Sequence, residues 1–239
     1  MIIPALPDLR LQLAQLMGAY FLALSLPLAA QQAGDGIKLR FSVCAVALSG
    51  ELSELHLPLA KATGAKPTAW LKVPLNETTV GAPMEYRGPA ALRFFAAPGE
   101  GTKPVATMTV ATTAKSILLV FLPDPATGGY KVIPVDDAEF VFGSYYFHNL
   151  SPHAVAIDLG GRKQVLKPGG KAVMAVPPAE DQEVKIHASI NGAARLIKST
   201  SWRIDADQRE LVFFYTPPGG EMVLTKHLMS SKVATPAGK

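Results

Sequence analysis

The alternation of apolar and polar residues beyond the N-terminal segment is typical of short strands. Runs rich in valine, isoleucine, phenylalanine and threonine are separated by turns, and the chain has 20 glycines and 20 prolines. No window in this part keeps apolar residues at the i, i+3, i+4 and i+7 positions of an amphipathic helix. The pattern predicts strands at 37–47, 52–58, 68–75, 90–97, 104–111, 115–122, 130–135, 144–150, 153–159, 162–167, 171–176, 183–190, 194–204, 210–216 and 221–228.

Two of these runs lack the alternation and are apolar throughout. They are "ILLVFL" at 117–122 and "LVFFY" at 211–215. A strand with one face in water alternates, whereas a strand with two dry faces must be covered on both sides. We therefore expect both runs in the middle of sheets that are covered on both faces, or at an interface.

The sequence around the two apolar runs is repeated. Each run is followed by a proline turn, a Gly-Gly pair and an alternating strand, in "PDPATGGYKV" and in "TPPGGEMV". A strand of comparable placement, "LRFFAA" or "VKIHAS", precedes each run. The repetition predicts an all-β fold of two tandem, immunoglobulin-like β-sandwich modules, at 31–135 and 136–229, with a flexible basic tail at 230–239. A single larger sandwich is the alternative.

The N-terminal segment differs from the rest of the chain. Residues 11–30, "LQLAQLMGAYFLALSLPLAA", are mostly apolar, follow Arg10 and end in small residues. This predicts a signal peptide at 1–30 and a periplasmic or secreted protein. A retained hydrophobic helix that anchors the chain in the membrane is the alternative, because the run is near the lower length limit of a membrane span. Contact with a membrane is expected only through this segment.

Cysteine content and charge exclude several classes of protein. Cys44 is the only cysteine, so no intrachain disulfide and no multi-cysteine metal site can form, and its strand "FSVCAVAL" predicts a buried thiol. The formal net charge is +4, and three of these charges come from lysines in the last fifteen residues, Lys226, Lys232 and Lys239. The rest of the chain is therefore close to neutral and lacks the basic surface that nucleic-acid binding needs.

The predicted second module carries a resemblance to known proteins. Its segments "GSYYFHNLSPHAVAIDLGG", "LKPGG" and "TSWRIDADQRELVFFYTPP" resemble uncharacterised exported β-sandwich proteins of bacteria. The module is also similar to periplasmic β-sandwich accessory proteins of exopolysaccharide modification. The resemblance implies a β-sandwich fold and export, and it implies no catalytic residues.

The "NLSPH" segment is the first candidate site. His153 and Asp158 fall on opposite faces of the predicted strand 153–159, which argues against a His–Asp pair for general-base chemistry. The segment predicts a hairpin turn in which Asn149 and Ser151 bond nearby backbone amides. The first alternative is a ligand-binding loop that uses His148 and His153. The second alternative is a catalytic site.

No motif predicts a cofactor, a metal site or a catalytic nucleophile. The histidines form no H-x-H or H-E-x-x-H pattern, and "IDADQRE" lacks the later glutamate of a calcium loop. A G-x-S-x-G motif is absent, and the Gly-Lys turns lie between strands, without the helix N-terminus that a phosphate site uses. We therefore predict a protein without a cofactor that is not an enzyme.

Aromatic residues give the remaining candidates. An indole on a strand offers an apolar platform to a sugar ring as readily as to the core, so Trp70 and Trp202 are candidates for either role, with the core preferred. Tyr145 and Tyr146 are adjacent and point to opposite faces. One of the two is therefore expected at the contact between the modules or at a partner surface.

Together these observations predict a non-catalytic β-sandwich protein of the cell envelope, a structural or interaction module whose partner is an unknown protein or polysaccharide. A carbohydrate- or exopolysaccharide-binding accessory protein is the alternative, and it requires an exposed tryptophan beside polar residues. A hydrolase is the third hypothesis, and it requires His148 or His153 to meet an acid or serine from another strand. The predicted contact residues are His148, Asn149, Ser151, His153, Trp70 and Trp202.

Overall fold

A computed structural model describes residues 36–59, 69–99, 103–175, 181–203, 205–217 and 219–232, which all belong to one compact unit, Gly36–Lys239. The predicted signal segment at 1–30 lies outside the described residues, as do residues 233–239 of the predicted tail. The regular secondary structure in the described ranges is all strand, so the protein is an all-β protein of several sheets. No described helix is long and apolar enough to cross a membrane.

The described strands fall into two halves of the chain. The first half contains β1 (Ile37–Ala45), β2 (Glu54–Leu59), β3 (Ala69–Pro74), β4 (Met84–Gly88), β5 (Ala91–Phe94), β6 (Ala106–Thr109), β7 (Ser116–Asp124) and β8 (Gly129–Asp136). The second half contains β9 (Ser144–Asn149), β10 (Val155–Leu159), β11 (Arg162–Leu166), β12 (Lys171–Ala175), β13 (Gln182–Ile190), β14 (Ala193–Trp202), β15 (Gln208–Tyr215) and β16 (Leu224–Ser231).

The first half has an inner and an outer layer of strands. The inner sheet has the order β4-β1-β7-β8, in which β1 and β7 are parallel and the other pairs antiparallel. The outer layer consists of the pairs β3-β2 and β5-β6. Two backbone hydrogen bonds between His56 and Phe95, of 2.8 and 2.9 Å, join these pairs into the order β3-β2-β5-β6.

The second half repeats this arrangement. Its inner sheet has the order β12-β9-β15-β16 with β9 and β15 parallel, and its outer sheet has the order β11-β10-β13-β14. Counted from the first strand of each half, the strand order is therefore the same in both inner sheets and in both outer layers.

Three clusters of buried apolar residues lie between the layers. One fills the first half and includes Phe41, Phe94 and Phe121. A second fills the second half and includes Phe147 and Phe214. The third, which we call the interface cluster, lies between the two inner sheets and consists of Cys44, Val46, Leu118, Val120, Val135, Phe140, Tyr146, Leu211, Phe213 and Leu228.

The interface cluster explains the two runs that are apolar throughout. In β7, Leu119 and Phe121 point into the first half, while Leu118 and Val120 point into the interface cluster. Alternate residues of β15 are divided in the same way between the second half and the interface cluster. The prediction that both runs lie in sheets covered on both faces is therefore confirmed.

Two further predictions about buried residues are confirmed. Tyr145 belongs to the core of the second half, whereas Tyr146 reaches the interface cluster. Cys44 is fully buried there, and burial raises the pKa of its thiol to about 12. The thiol is therefore protonated and shielded at neutral pH.

The segment that connects the halves is held by a buried arginine. The Arg209 guanidinium lies 2.5 Å from the Asp137 carboxylate, donates to the backbone oxygen of Phe140, and packs 4.7 Å from the rings of Phe140 and Phe142. Asp137 also accepts a 2.8 Å hydrogen bond from the Ser116 hydroxyl. Groups from both halves therefore fix the connection.

A second connection is made by residues 76–81, between β3 and β4. The amide of Gly81 donates to the oxygen of Val43 in β1, at 2.8 Å, and the amide of Val80 donates to the oxygen of Met229 in β16, at 2.9 Å. The Met229 amide in turn donates to the oxygen of Thr78, at 3.2 Å. This segment of the first half therefore pairs with strands of both halves.

The structure corrects two details of the predicted strands. β4 was not predicted, because its five residues lie in "GAPMEYRGPA", where prolines and glycines hide the alternation. β16 extends to Ser231, and Lys232 binds Asp207 through an ammonium contact of 2.7 Å. Residues 230–232 of the predicted tail are therefore part of the fold.

Candidate binding face on the outer layer of the first half

The "NLSPH" turn is held together by the side chain of Asn149. Its Nδ2 donates to the backbone oxygens of His153 and Leu166, at 2.7 and 3.0 Å, and its Oδ1 accepts from the amide and hydroxyl of Ser151, at 3.1 and 2.7 Å. The predicted bonds from Asn149 and Ser151 to nearby backbone amides are therefore present, but the turn is not a hairpin, because β9 and β10 lie in different sheets and do not pair with each other. Asn149 and Ser151 are buried, with exposed fractions of 0% and 2%, so neither offers its side chain to a partner.

The two histidines beside this turn have different surroundings. The His148 ring lies 6.1 Å from the rings of Tyr146 and Phe213, and burial, Lys171 and Lys131 together lower its pKa. His153 is half-buried. Within the described ranges neither ring bonds a carboxylate or a hydroxyl, which is the contact that the hydrolase hypothesis requires. The described residues also hold no group of three potential metal ligands among histidine, cysteine and acidic side chains.

Trp202 is a core residue. Its exposed fraction is 9%, and its ring lies 5.3 Å from Tyr145 in the apolar cluster of the second half. The indole is therefore covered and offers no platform to a sugar ring.

A polar cluster beside Trp202 was not predicted from the sequence. His227 contacts the Glu210 carboxylate through Nδ1, and its Nε2 lies 3.2 Å from Lys198 Nζ. The His227 ring also meets Trp202 edge to face at 4.7 Å. The cluster joins β14 of the outer sheet to β15 and β16 of the inner sheet, and both ring nitrogens of His227 are engaged. These contacts therefore link the outer and inner sheets of the second half at this side.

The other tryptophan lies on the outward side of the first half. Directly paired residues of β2 and β3 share a face, and Leu55, Leu57 and Val73 point inward into the apolar cluster. The alternate positions therefore point outward. They are Glu54, His56 and Pro58 of β2 and Trp70, Lys72 and Pro74 of β3.

Two aromatic rings form the centre of this outward face. The Trp70 and Phe95 rings meet at right angles with their centres 5.4 Å apart, and both residues are half-buried. His56 is 9% exposed. The indole is thus braced by a second ring and keeps part of its surface in solvent.

Charged side chains surround the aromatic centre. Glu54 Oε1 lies 3.4 Å from Lys72 Nζ and 3.5 Å from His56 Nε2, and the Lys72 side chain is 73% exposed. Arg93 is exposed and lies two residues before Phe95, on the same face. The antiparallel register through His56 and Phe95 places Arg93 across from Pro58, which is itself paired with Trp70. We call the set Glu54, His56, Trp70, Lys72, Arg93 and Phe95 the Trp70 face.

The equivalent outer sheet of the second half has a different surface. Its outward positions on β10 and β11 include Ala156, Asp158, Lys163 and Val165, and Val165 is 62% exposed. No tryptophan, tyrosine or phenylalanine is among the described outward positions of this sheet. The same strand order therefore forms without an aromatic centre, so the fold itself does not require the Trp70 face.

A shallow cleft of about 600 Å³ lies where the end of the first half meets Lys171. Its charged side chains have both signs and are all exposed: Lys115, Asp136, Glu139 and Lys171. No aromatic side chain lines this cleft, in contrast to the Trp70 face.

The fold and this face define an all-β protein with several packed sheets and a partly exposed aromatic surface. No protein-family model and no curated protein matches the chain. A solved structure from Bacteroides uniformis, described as a "putative cell adhesion protein", is similar over 82% of this chain and 98% of its own chain, with 11% identity and a TM-score of 0.24. A TM-score this low does not establish a common fold.

Proposed function

We propose that this chain is a non-catalytic interaction protein of the cell envelope that binds its partner through the Trp70 face. The observation that carries the proposal is the half-exposed Trp70 ring, braced by Phe95 and bordered by Lys72 and Arg93. Tryptophan and arginine are enriched at the energetically important centres of binding surfaces. A braced indole also loses little side-chain entropy when a partner covers it.

The comparison of the two outer layers supports a functional role for this face. Trp70 leaves part of its ring uncovered on the outward side of its sheet, whereas the second half builds the same strand order without an aromatic residue at its described outward positions. Trp70 is therefore better explained by contact with a partner than by folding.

The proposal includes two tandem sandwich modules that act as one rigid body. The repeated strand order of the halves supports two modules, and the interface cluster and Arg209 support a fixed contact between them. Rigidity lowers the entropy cost of presenting a binding face. The immunoglobulin-like form of the modules, the signal peptide and the periplasmic or secreted location are further parts of this proposal.

Co-sedimentation with an envelope fraction from cells that produce the protein tests the proposal. The purified wild type is compared with Trp70→Ala and with Val165→Ala, a matched truncation on the equivalent outer sheet of the second half. We expect wild type and Val165→Ala to sediment with the envelope and Trp70→Ala to remain largely in the supernatant. Circular dichroism and thermal unfolding of each variant show that the fold is kept.

Two results would contradict the proposal. If the wild type stays in the supernatant, the protein does not bind the envelope. If Trp70→Ala sediments as well as the wild type, the Trp70 face is not the contact surface.

A further inference from the structure

We infer that the Trp70 face binds an acidic polysaccharide, a chain of hexopyranose units that carry carboxylates. The inference rests on the proposed function, because it names the ligand class of the same face. It is supported by three features of the face: its aromatic platform, a carboxylate with a free oxygen, and two cationic side chains.

The aromatic centre suits a sugar ring. A pyranose has an apolar side formed by its C–H groups, and this side packs on the flat surface of an indole. The right-angled contact with Phe95 holds the Trp70 plane in one orientation, and the half-buried indole keeps an exposed part. A fixed platform of this size matches one sugar ring rather than the broad apolar area of a protein core.

Glu54 provides a hydrogen-bond acceptor beside the platform. Lys72 and His56 both contact its Oε1, and within the described ranges Oε2 is not engaged. A carboxylate can accept about four hydrogen bonds, so Oε2 can accept from the hydroxyl groups of a sugar. Because the Glu54 side chain is 42% exposed, such a ligand can reach it.

The balance of charge favours an acidic sugar over a neutral one. Lys72 and Arg93 carry two positive charges on this face, whereas Glu54 carries one negative charge. The described residues offer Arg93 no ion-pair partner, and a guanidinium binds a carboxylate through two parallel hydrogen bonds. A carboxylate on the sugar would fill this position.

Isothermal titration calorimetry with defined oligosaccharides tests the inference. The probes are galacturonate oligosaccharides and galactose oligosaccharides of the same length, which differ in the carboxylate. We expect the acidic probe to bind about tenfold more tightly than the neutral one at low salt, and to weaken as the salt concentration rises.

The variants separate the contributions of the platform and the charge. Trp70→Ala is expected to weaken binding of both probes by about tenfold or more, because both stack on the indole. Arg93→Gln is expected to weaken binding of the acidic probe by about tenfold and so to remove its preference over the neutral probe. Val165→Ala is the control and is expected to bind like the wild type.

The outcomes distinguish the inference from the proposed function. Equal binding of both probes by the wild type overturns the acidic part of the inference. If neither probe binds but envelope co-sedimentation still depends on Trp70 and is lost after protease treatment of the envelope, the partner is a protein and the glycan inference is wrong. If neither probe binds and Trp70→Ala does not change co-sedimentation, both are wrong.

Discussion

At the scale of single residues, the turn between β9 and β10 depends on Asn149. Its side chain makes four hydrogen bonds of 2.7 to 3.1 Å in a fully buried position. Asn149→Ala leaves two backbone oxygens and both the amide and the hydroxyl of Ser151 without these partners, and no water can readily replace them. We expect this variant to lower the free energy of unfolding in urea by about 2 to 4 kcal/mol.

Asn76 provides the matched control for this prediction. Its Oδ1 accepts from both Thr78 donors, at 2.8 Å each, and from the Thr79 amide at 3.1 Å, but the residue is exposed. Water can therefore replace much of what Asn76→Ala removes, and we expect a loss of about 1 kcal/mol or less. Equal losses for the two variants would mean that burial does not determine the effect.

His148 is expected to make the stability depend on pH. Its pKa is lowered in the folded protein by burial, by Lys171 and by Lys131, so the unfolded chain takes up the proton at a higher pH. The associated stability is therefore fully present above the ordinary histidine pKa of about 6.5 and is lost as the pH falls below it. Urea unfolding between about pH 7.5 and 5 is expected to show this decrease in the wild type and a smaller one in His148→Gln.

Lys171→Gln tests whether the charge of Lys171 contributes to the lowered pKa of His148. Lys171 pairs directly with His148 across β12 and β9, so its removal takes away one of the two positive charges that disfavour the imidazolium. This variant is expected to show a pH dependence between those of the wild type and His148→Gln. If neither variant changes the pH dependence of the free energy of unfolding, groups other than His148 cause that dependence.

At the scale of strands, the sequence predicts which residues are buried but not what covers them. The alternation in "VKIHASI" correctly places Val184, Ile186 and Ala188 inward, and the unbroken run in β7 correctly predicts two covered faces. Which strands pair is set by contacts between distant parts of the chain. The parallel pairs β1–β7 and β9–β15 have no local signal.

The candidate site shows the same limit. Trp70 is a candidate from its residue type alone. Because side chains alternate along a strand, Trp70 is expected on the same face as Lys72. Phe95 and Arg93 join the face through the pairing of β2 with β5, which lie far apart in the sequence. The cluster of Lys198, Glu210 and His227 was missed for the same reason, because its members come from three strands in two sheets.

At the scale of the whole molecule, the interface cluster makes each half depend on the other. Apolar residues of β1, β7 and β8 pack there against residues of β9, β15 and β16, so that unfolding of one half would expose apolar surface of the other. We therefore expect the wild type to show one cooperative transition in differential scanning calorimetry.

Truncation of two neighbouring phenylalanines can distinguish a loss of coupling between the halves from a loss of overall stability. Phe213 is fully buried in the interface cluster and Phe214 in the core of the second half, so truncation of either to alanine is expected to cost about 3 to 5 kcal/mol. We expect Phe213→Ala to divide the calorimetric transition into two, because it weakens the contact between the halves. Phe214→Ala should lower the transition temperature and keep a single transition. Two transitions in the wild type would show that the interface cluster does not couple the halves, and the rigid body assumed for the presentation of the Trp70 face would then be lost. One transition of the same shape in both variants would show that the coupling does not depend on Phe213.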